Sequence, residues 1–169
     1  MKKFLILIPF IFLGCSSDNP FLFDMDIEAD IEVSAGLNTL DTHYFLIRRV
    51  PTRIQTYLTG FDESTIGEIL PRRAEITAPF DNIDFGIVQE VSIWAVSTTD
   101  SDLRKEIFYQ DRINLNDQKE LRLFSSLSEV KDILLNDHVD LEVRFKFRAF
   151  TPTQIETKLI MNFLVNGKE

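Results

Sequence analysis

The sequence predicts an all-β protein, an antiparallel β-sandwich of about eight strands with two or three short helical insertions. Three observations predict it. Apolar and polar residues alternate with period two over long segments, the signature of strands with one dry face. Those strands carry charge on the second face, which argues against a parallel sheet buried on both sides. The composition is globular, with 44% hydrophobic and 27% charged residues in 169, enough chain for one core.

Each element can be justified in order. From Phe23 the odd positions read Phe23, Met25, Ile27, Ala29, Ile31 and Val33, and the even ones Asp24, Asp26, Glu28, Asp30 and Glu32. A strand there has one apolar and one acidic face. His43–Val50 is a shorter strand. Thr52 is placed to cap a helical turn through Ile54, Tyr57 and Leu58, ended by Gly60. A second turn is expected where Ile66, Ile69 and Leu70 follow Asp62 and Ser64, with Pro71 stopping it. Strands are expected at Arg72–Thr77 and over the long run Ile83–Ser97, where apolar residues on both faces place it mid-sheet. The polar run Ser97–Asp102 marks a hairpin turn into Glu106–Ile113, and Glu120–Phe124 follows. Ser126 and Glu129 have the spacing of a capping box and predict a helix over Leu127–Leu135, with Leu127, Val130 and Leu134 on one side. Two clear strands close the chain. Val139, Leu141, Val143, Phe145, Phe147 and Ala149 alternate with Asp140, Glu142, Arg144, Lys146 and Arg148. Ile155 to Val165 repeats the pattern, with Ile160 and Leu164 breaking its polar face.

Residues 1–20 carry a different signal. Lys2 and Lys3 precede the apolar run Phe4–Leu13, followed by Gly14 and Cys15. Ten helical residues reach about 15 Å, half of a roughly 30 Å hydrocarbon core, so the run reads as a secretory h-region rather than a permanent span. Phe12-Leu13-Gly14-Cys15 resembles the lipobox of bacterial lipoproteins, although Phe12 stands where that family most often has Leu. The resemblance implies a signal peptide over 1–14, cleavage after Gly14, a diacylglyceryl thioether on Cys15 and acylation (palmitate among the chains) of the new amino terminus. The expected organisation is then a signal peptide (1–14), a lipidated cysteine with its tether (15–20) and a single β-sandwich domain (21–169). Cys15 is the sole cysteine, so the domain is expected to have neither disulfide nor thiol chemistry. Several buried acyl chains anchor a protein stably where one does not. Residues 16–20 reach at most about 18 Å, which keeps the domain close to its membrane. Ser16 is not the Asp that retains lipoproteins at the inner membrane, so the resemblance favours the outer membrane, with the leaflet left open. The body, through the segments HYFLIRRVPT and ILPRRAEIT, loosely resembles small uncharacterised outer-membrane lipoproteins. That likeness carries no function.

The formal net charge is −9, and losing Lys2 and Lys3 makes it more negative. Nucleic acid is therefore not an expected partner. The alternating acids Asp24 to Glu32 invite a calcium reading. However, Ala29 occupies the position of the turn glycine and Ala35 that of the bidentate glutamate, and a strand spreads alternate side chains about 6–7 Å apart. The structural expectation is a cross-strand charge ladder between these acids and Arg144, Lys146 and Arg148. Arg48, Arg49, Arg53, Arg72 and Arg73 border the helical insertion and could converge on one rim, able to grip an anionic glycan or a partner's carboxylates, or could simply be solvated or pair locally with Asp62, Glu63 and Glu68. His43 and His138 are weak prompts for acid–base work. Trp94 and most phenylalanines are expected in the core rather than on a sugar platform. Nucleophile, zinc and phosphate-loop motifs are absent, so no catalytic residue, metal site or cofactor is assigned, and binding residues are left unknown. The expected role is non-catalytic: a membrane-anchored envelope lipoprotein serving as an accessory or structural subunit of an outer-membrane complex, docked on an outer-membrane protein. The alternative is a glycan- or ligand-binding surface lipoprotein.

Overall fold

In the computed structural model, residues 20–80, 83–115 and 119–168 are described. The leader and Cys15 lie outside them. The fold is all-β, with eight antiparallel strands: β1 (Phe21–Val33), β2 (Thr42–Pro51), β3 (Ile66–Thr77), β4 (Val88–Ser97), β5 (Arg104–Gln110), β6 (Glu120–Ser125), β7 (His138–Phe147) and β8 (Ile155–Gly167). Two one-turn helices, α1 (Ile54–Tyr57) and α2 (Lys131–Leu134), accompany them. Among the described residues no helix is long and apolar enough to cross a membrane.

The strands form one curled sheet in the order β1-β8-β3-β6-β5-β4-β7-β2. The β5–β6 seam holds only two register pairs, Phe108 with Ser125 and Tyr109 with Phe124. At this seam the sheet folds over itself, so the expected sandwich is present as two halves of a continuous sheet. Phe108 of β5 meets Phe163 of β8 edge-on, with centroids 5.6 Å apart, across the core.

Period-two alternation explains the packing. Met25, Ile27, Ala29, Ile31 and Val33 of β1 are buried, as are Val139, Leu141, Val143, Phe145 and Phe147 of β7. Phe145 stacks on Phe147 at 5.7 Å and takes Phe45 of β2 edge-on at the same distance. Burying such side chains contributes roughly 1.5–3 kcal/mol each. All strands being antiparallel, one end of the molecule collects the start of β1 and the end of β8, together with loops 52–65, 98–103 and 126–137. The opposite end, here called distal, collects the loop residues 34–41, 78–80, 83–87, 111–115, 119 and 148–154.

Several local expectations are corrected. The turn expected at Ile66, Ile69 and Leu70 is the first part of β3, which runs through Pro71 to Thr77. A bulge between Ile66 and Glu68 puts Ile66 and Ile69 on the same buried side at a spacing of three, imitating a helix. A second bulge lies between Pro71 and Arg73, where a residue lacking an N–H is tolerated. Gly67 is required here, because a side chain would run into the Gly167 backbone. The Ile83–Ser97 run opens as a 3-10 turn over 85–87, and its strand starts at Val88. Thr52 does not cap α1 well. Its hydroxyl donates to the Asn136 carbonyl at 2.7 Å, and Arg53 precedes the helix in a left-handed conformation. The Ser126 capping box does not form either. The Ser126 hydroxyl donates to the Glu106 carbonyl, while the Glu129 carboxylate accepts from the Lys131 and Ile69 amides. The helix is correspondingly short, and Leu127 is exposed rather than packed. Ala149 lies beyond the end of β7 and is exposed.

Candidate functional site

The acids of β1 point outward as expected, but their partners differ from the expected ladder. β1 pairs with β8 while β7 lies between β4 and β2, in the other half of the sheet. Asp24 accepts from Arg72 at 2.7 Å, Asp26 from the Asn162 amide at 2.8 Å, and Glu28 pairs with Lys158 at 2.7 Å. The Lys158 hydrogen bond and charge hold the Glu28 carboxyl below its usual range, with Arg53 adding to the effect, and Glu28 raises Lys158 in return. The bases of β7 have their own partners: Arg144 with Glu142 at 2.6 Å, Lys146 with Glu90 at 3.9 Å, and Arg148 with the Ile113 carbonyl at 2.6 Å. Among the described residues no group of three metal-ligating side chains occurs.

The arginines do not share one rim. Arg72 is held by Asp24. Arg73 lines a depression with Asp26 and Arg122, whereas Arg48 borders a separate one with Arg104 and Asp140. Arg49 sits in the β2 bulge between Ile47 and Val50, with a φ of 54°, and its amide donates to Asp140 at 2.7 Å. The histidines sit at opposite ends of the β2–β7 ladder. His43 Nε2 lies 2.9 Å from the Asn38 carbonyl and its ring lies against Phe147, so the pair forms no site.

Trp94 corrects a further expectation. It is half-buried on the outer face of β4, not in the core. Its cover is two arginines: the guanidinium of Arg144 lies 4.4 Å from the ring centroid and that of Arg104 lies 5.1 Å away. Arg144 also lies 5.3 Å from the Tyr44 ring.

Arg144 and Tyr44 of this cluster also line a polar groove of about 450 Å³ on the outer face of β2, β7, β4 and β5. Register explains its shape. Tyr44, Arg144, Ser92 and Tyr109 stand in one row across the four strands. Ser92 is the smallest of the four, so the sheet dips at its centre between two tyrosine walls. Tyr44 is 63% exposed and Tyr109 37%, the latter backed by Phe124 at 6.1 Å. Lys146 and Glu90 form the next row toward the distal end, and Glu106 and Asp111 stand on the β5 side. Burial pushes the Glu106 carboxyl above its ordinary value; the charge of Arg144 opposes this and that of Asp111 adds to it. Individual groove residues were visible in the sequence as polar-phase strand positions, but only strand order and register bring them together.

No protein-family model matches the chain, and no curated protein matches it. One solved chain, from Desmodium yellow mottle tymovirus, is similar at a TM-score of 0.30 and 15% identity, covering 100% of this chain and 98% of that one. A likeness at that level carries no argument about function.

Proposed function

We propose that the protein is a membrane-anchored envelope lipoprotein of the outer membrane whose β-sandwich serves, without catalysis, as an accessory or structural subunit of an outer-membrane protein complex. The observation that carries this reading is the Lys2–Cys15 leader, which resembles a lipobox signal and leaves only residues 16–20 before the first strand residue, Phe21. A lipid on Cys15 would hold the end of the sandwich that carries the start of β1 close to the membrane. Exposed Phe21, Phe61 and Leu127 lie at that same end and suit an apolar contact with a membrane-embedded neighbour. The test is fatty-acid labelling of the wild type and Cys15→Ser, followed by mild detergent extraction and affinity capture. Label on the wild type alone, with one membrane protein recovered in stoichiometric amount, supports the reading. An unlabelled wild type or a freely soluble product overturns it.

A second reading, binding of a glycan or other ligand, is favoured by one observation: the groove between Tyr44 and Tyr109, with exposed aromatic rings and two carboxylates, Glu106 and Asp111, that no side chain pairs among the described residues.

A further inference from the structure

We infer that the groove between Tyr44 and Tyr109 is a binding site for a neutral saccharide, an inference that rests on the ligand-binding reading above.

The dimensions come from the sheet itself. Tyr44 and Tyr109 are separated by three interstrand spacings, or about 14 Å at the usual spacing. A ligand lying across Ser92 meets an aromatic ring at each end. Exposed tyrosines supply apolar faces for the C–H side of a sugar ring, and each has a hydroxyl to bond.

Apart from Glu90 of β4, which pairs with Lys146, the charged groups are sorted across the width of the groove. Donors lie on the β2 and β7 side: Arg144 and Lys146. Acceptors lie on the β5 side: Glu106 and Asp111. Arg144 is fixed before any ligand arrives, by Glu142 at 2.6 Å and by the Trp94 ring at 4.4 Å. Such preorganisation lowers the entropic cost of binding. Among the described residues no side-chain hydrogen bond or ion pair engages the carboxylates of Glu106 or Asp111, whereas the other acids nearby, Glu142 and Glu90, have partners.

This arrangement selects against net charge on the ligand. An anion would meet the two unpaired carboxylates on one wall. A cation would meet Arg144 and Lys146 on the other. A chain of hydroxyls satisfies both walls, because each hydroxyl donates one hydrogen bond and accepts others. A neutral saccharide combines those hydroxyls with apolar ring faces for the two tyrosines.

The experiment uses the full chain in detergent micelles on an array of neutral oligosaccharides (glucans, galactans and mannans), with uronate-containing and amino-sugar chains alongside. Retention of neutral chains is expected. Tyr44→Ala, Tyr109→Ala and Glu106→Gln should each weaken it by about tenfold, which corresponds to about 1.4 kcal/mol. Asp30→Asn, exposed on β1 in the other half of the sheet, should leave it unchanged. Circular dichroism of each variant separates loss of binding from loss of fold. Neutral-chain binding that survives all three groove variants overturns the site while leaving ligand binding standing. Preference for uronate or amino-sugar chains overturns the neutral class. Retention of no saccharide overturns this inference and the glycan reading together, without touching the lipid anchor.

Discussion

The guanidinium of Arg144 lies over the Trp94 ring at 4.4 Å while its Nε and Nη2 hold Glu142 at 2.6 Å. One arginine thus closes both the aromatic and the ionic contact of the outer face. The Arg144 and Glu142 side chains retain only about a fifth of their exposure, 21% and 19%. Removing the arginine leaves a mostly desolvated carboxylate with only Arg104 beside it, at 3.7 Å, and takes away the nearer of the two guanidinium covers of the indole. Arg144→Ala should therefore cost about 2 kcal/mol, read as a lower urea midpoint at unchanged slope. Adding Glu142→Gln to that variant should recover part of the loss, which a double-mutant cycle measures.

The Phe108–Phe163 contact joins the two halves of the folded sheet where the β5–β6 seam supplies few hydrogen bonds. Both rings are fully buried. Phe163→Ala should cost about 3–5 kcal/mol, and Phe163→Leu clearly less. Equal losses in chemical denaturation would mean that the ring is not packed as described.

The Glu28–Lys158 pair gives an acid-side and an alkaline-side prediction. Glu28 titrates below its ordinary 4.5 in the folded chain, so its stabilisation is complete above that value and is lost as the pH falls through the folded one. Lys158 titrates above its ordinary 10.5, so the same bridge persists below that value and is lost as the pH rises through the folded one. Glu28→Gln should flatten both limbs of a stability–pH curve. The effect is small, since both side chains are largely solvated.

Glu106 has the opposite sign. Its carboxyl is raised above 4.5, chiefly by burial, so the folded chain holds a proton that the unfolded chain has released. Stability then falls as the pH rises from 4.5 through the raised value. Glu106→Gln should be more stable than the wild type at neutral pH, and the difference should vanish below 4.5. Thermal melts at two pH values suffice.

Arg49 holds a left-handed backbone in the β2 bulge, with a φ of 54°, a conformation that costs an L-residue about 1–2 kcal/mol. Glycine adopts it freely but loses more freedom on folding. Arg49→Gly should therefore stabilise the chain by about 0.5 kcal/mol, because the contact to Asp140 is made by the backbone amide and is retained. A lower melting temperature for the variant would show that the Arg49 side chain contributes more than its backbone costs.

The alternation of β1, β7 and β8 was legible because the inward residues are apolar, Thr157 excepted, and most of their neighbours are polar or charged. The start of β3 was not, because a bulge shifts the phase and gives Ile66 and Ile69 a helical spacing. Trp94 was misplaced for a related reason: its cover comes from Arg144 and Arg104 on adjacent strands, and a local pattern does not know its neighbours. The supposed partnership between the β1 acids and the β7 bases had the right chemistry and the wrong strand order. For the groove the gap is widest. Tyr44, Ser92, Tyr109 and Arg144 are unremarkable singly, and only the pairing of four strands aligns them.

Phe21 of β1 stands beside Asn166 of β8, next to Gly167. The Tyr44–Ser92 row lies in the half of its strands nearer the opposite pole. Anything grafted onto Lys168 therefore emerges on the side where the chain comes in, leaving the far loops and the tyrosine-walled cleft unobstructed. Immobilisation on a sensor through Lys168 would hold the molecule by the end that carries Pro20.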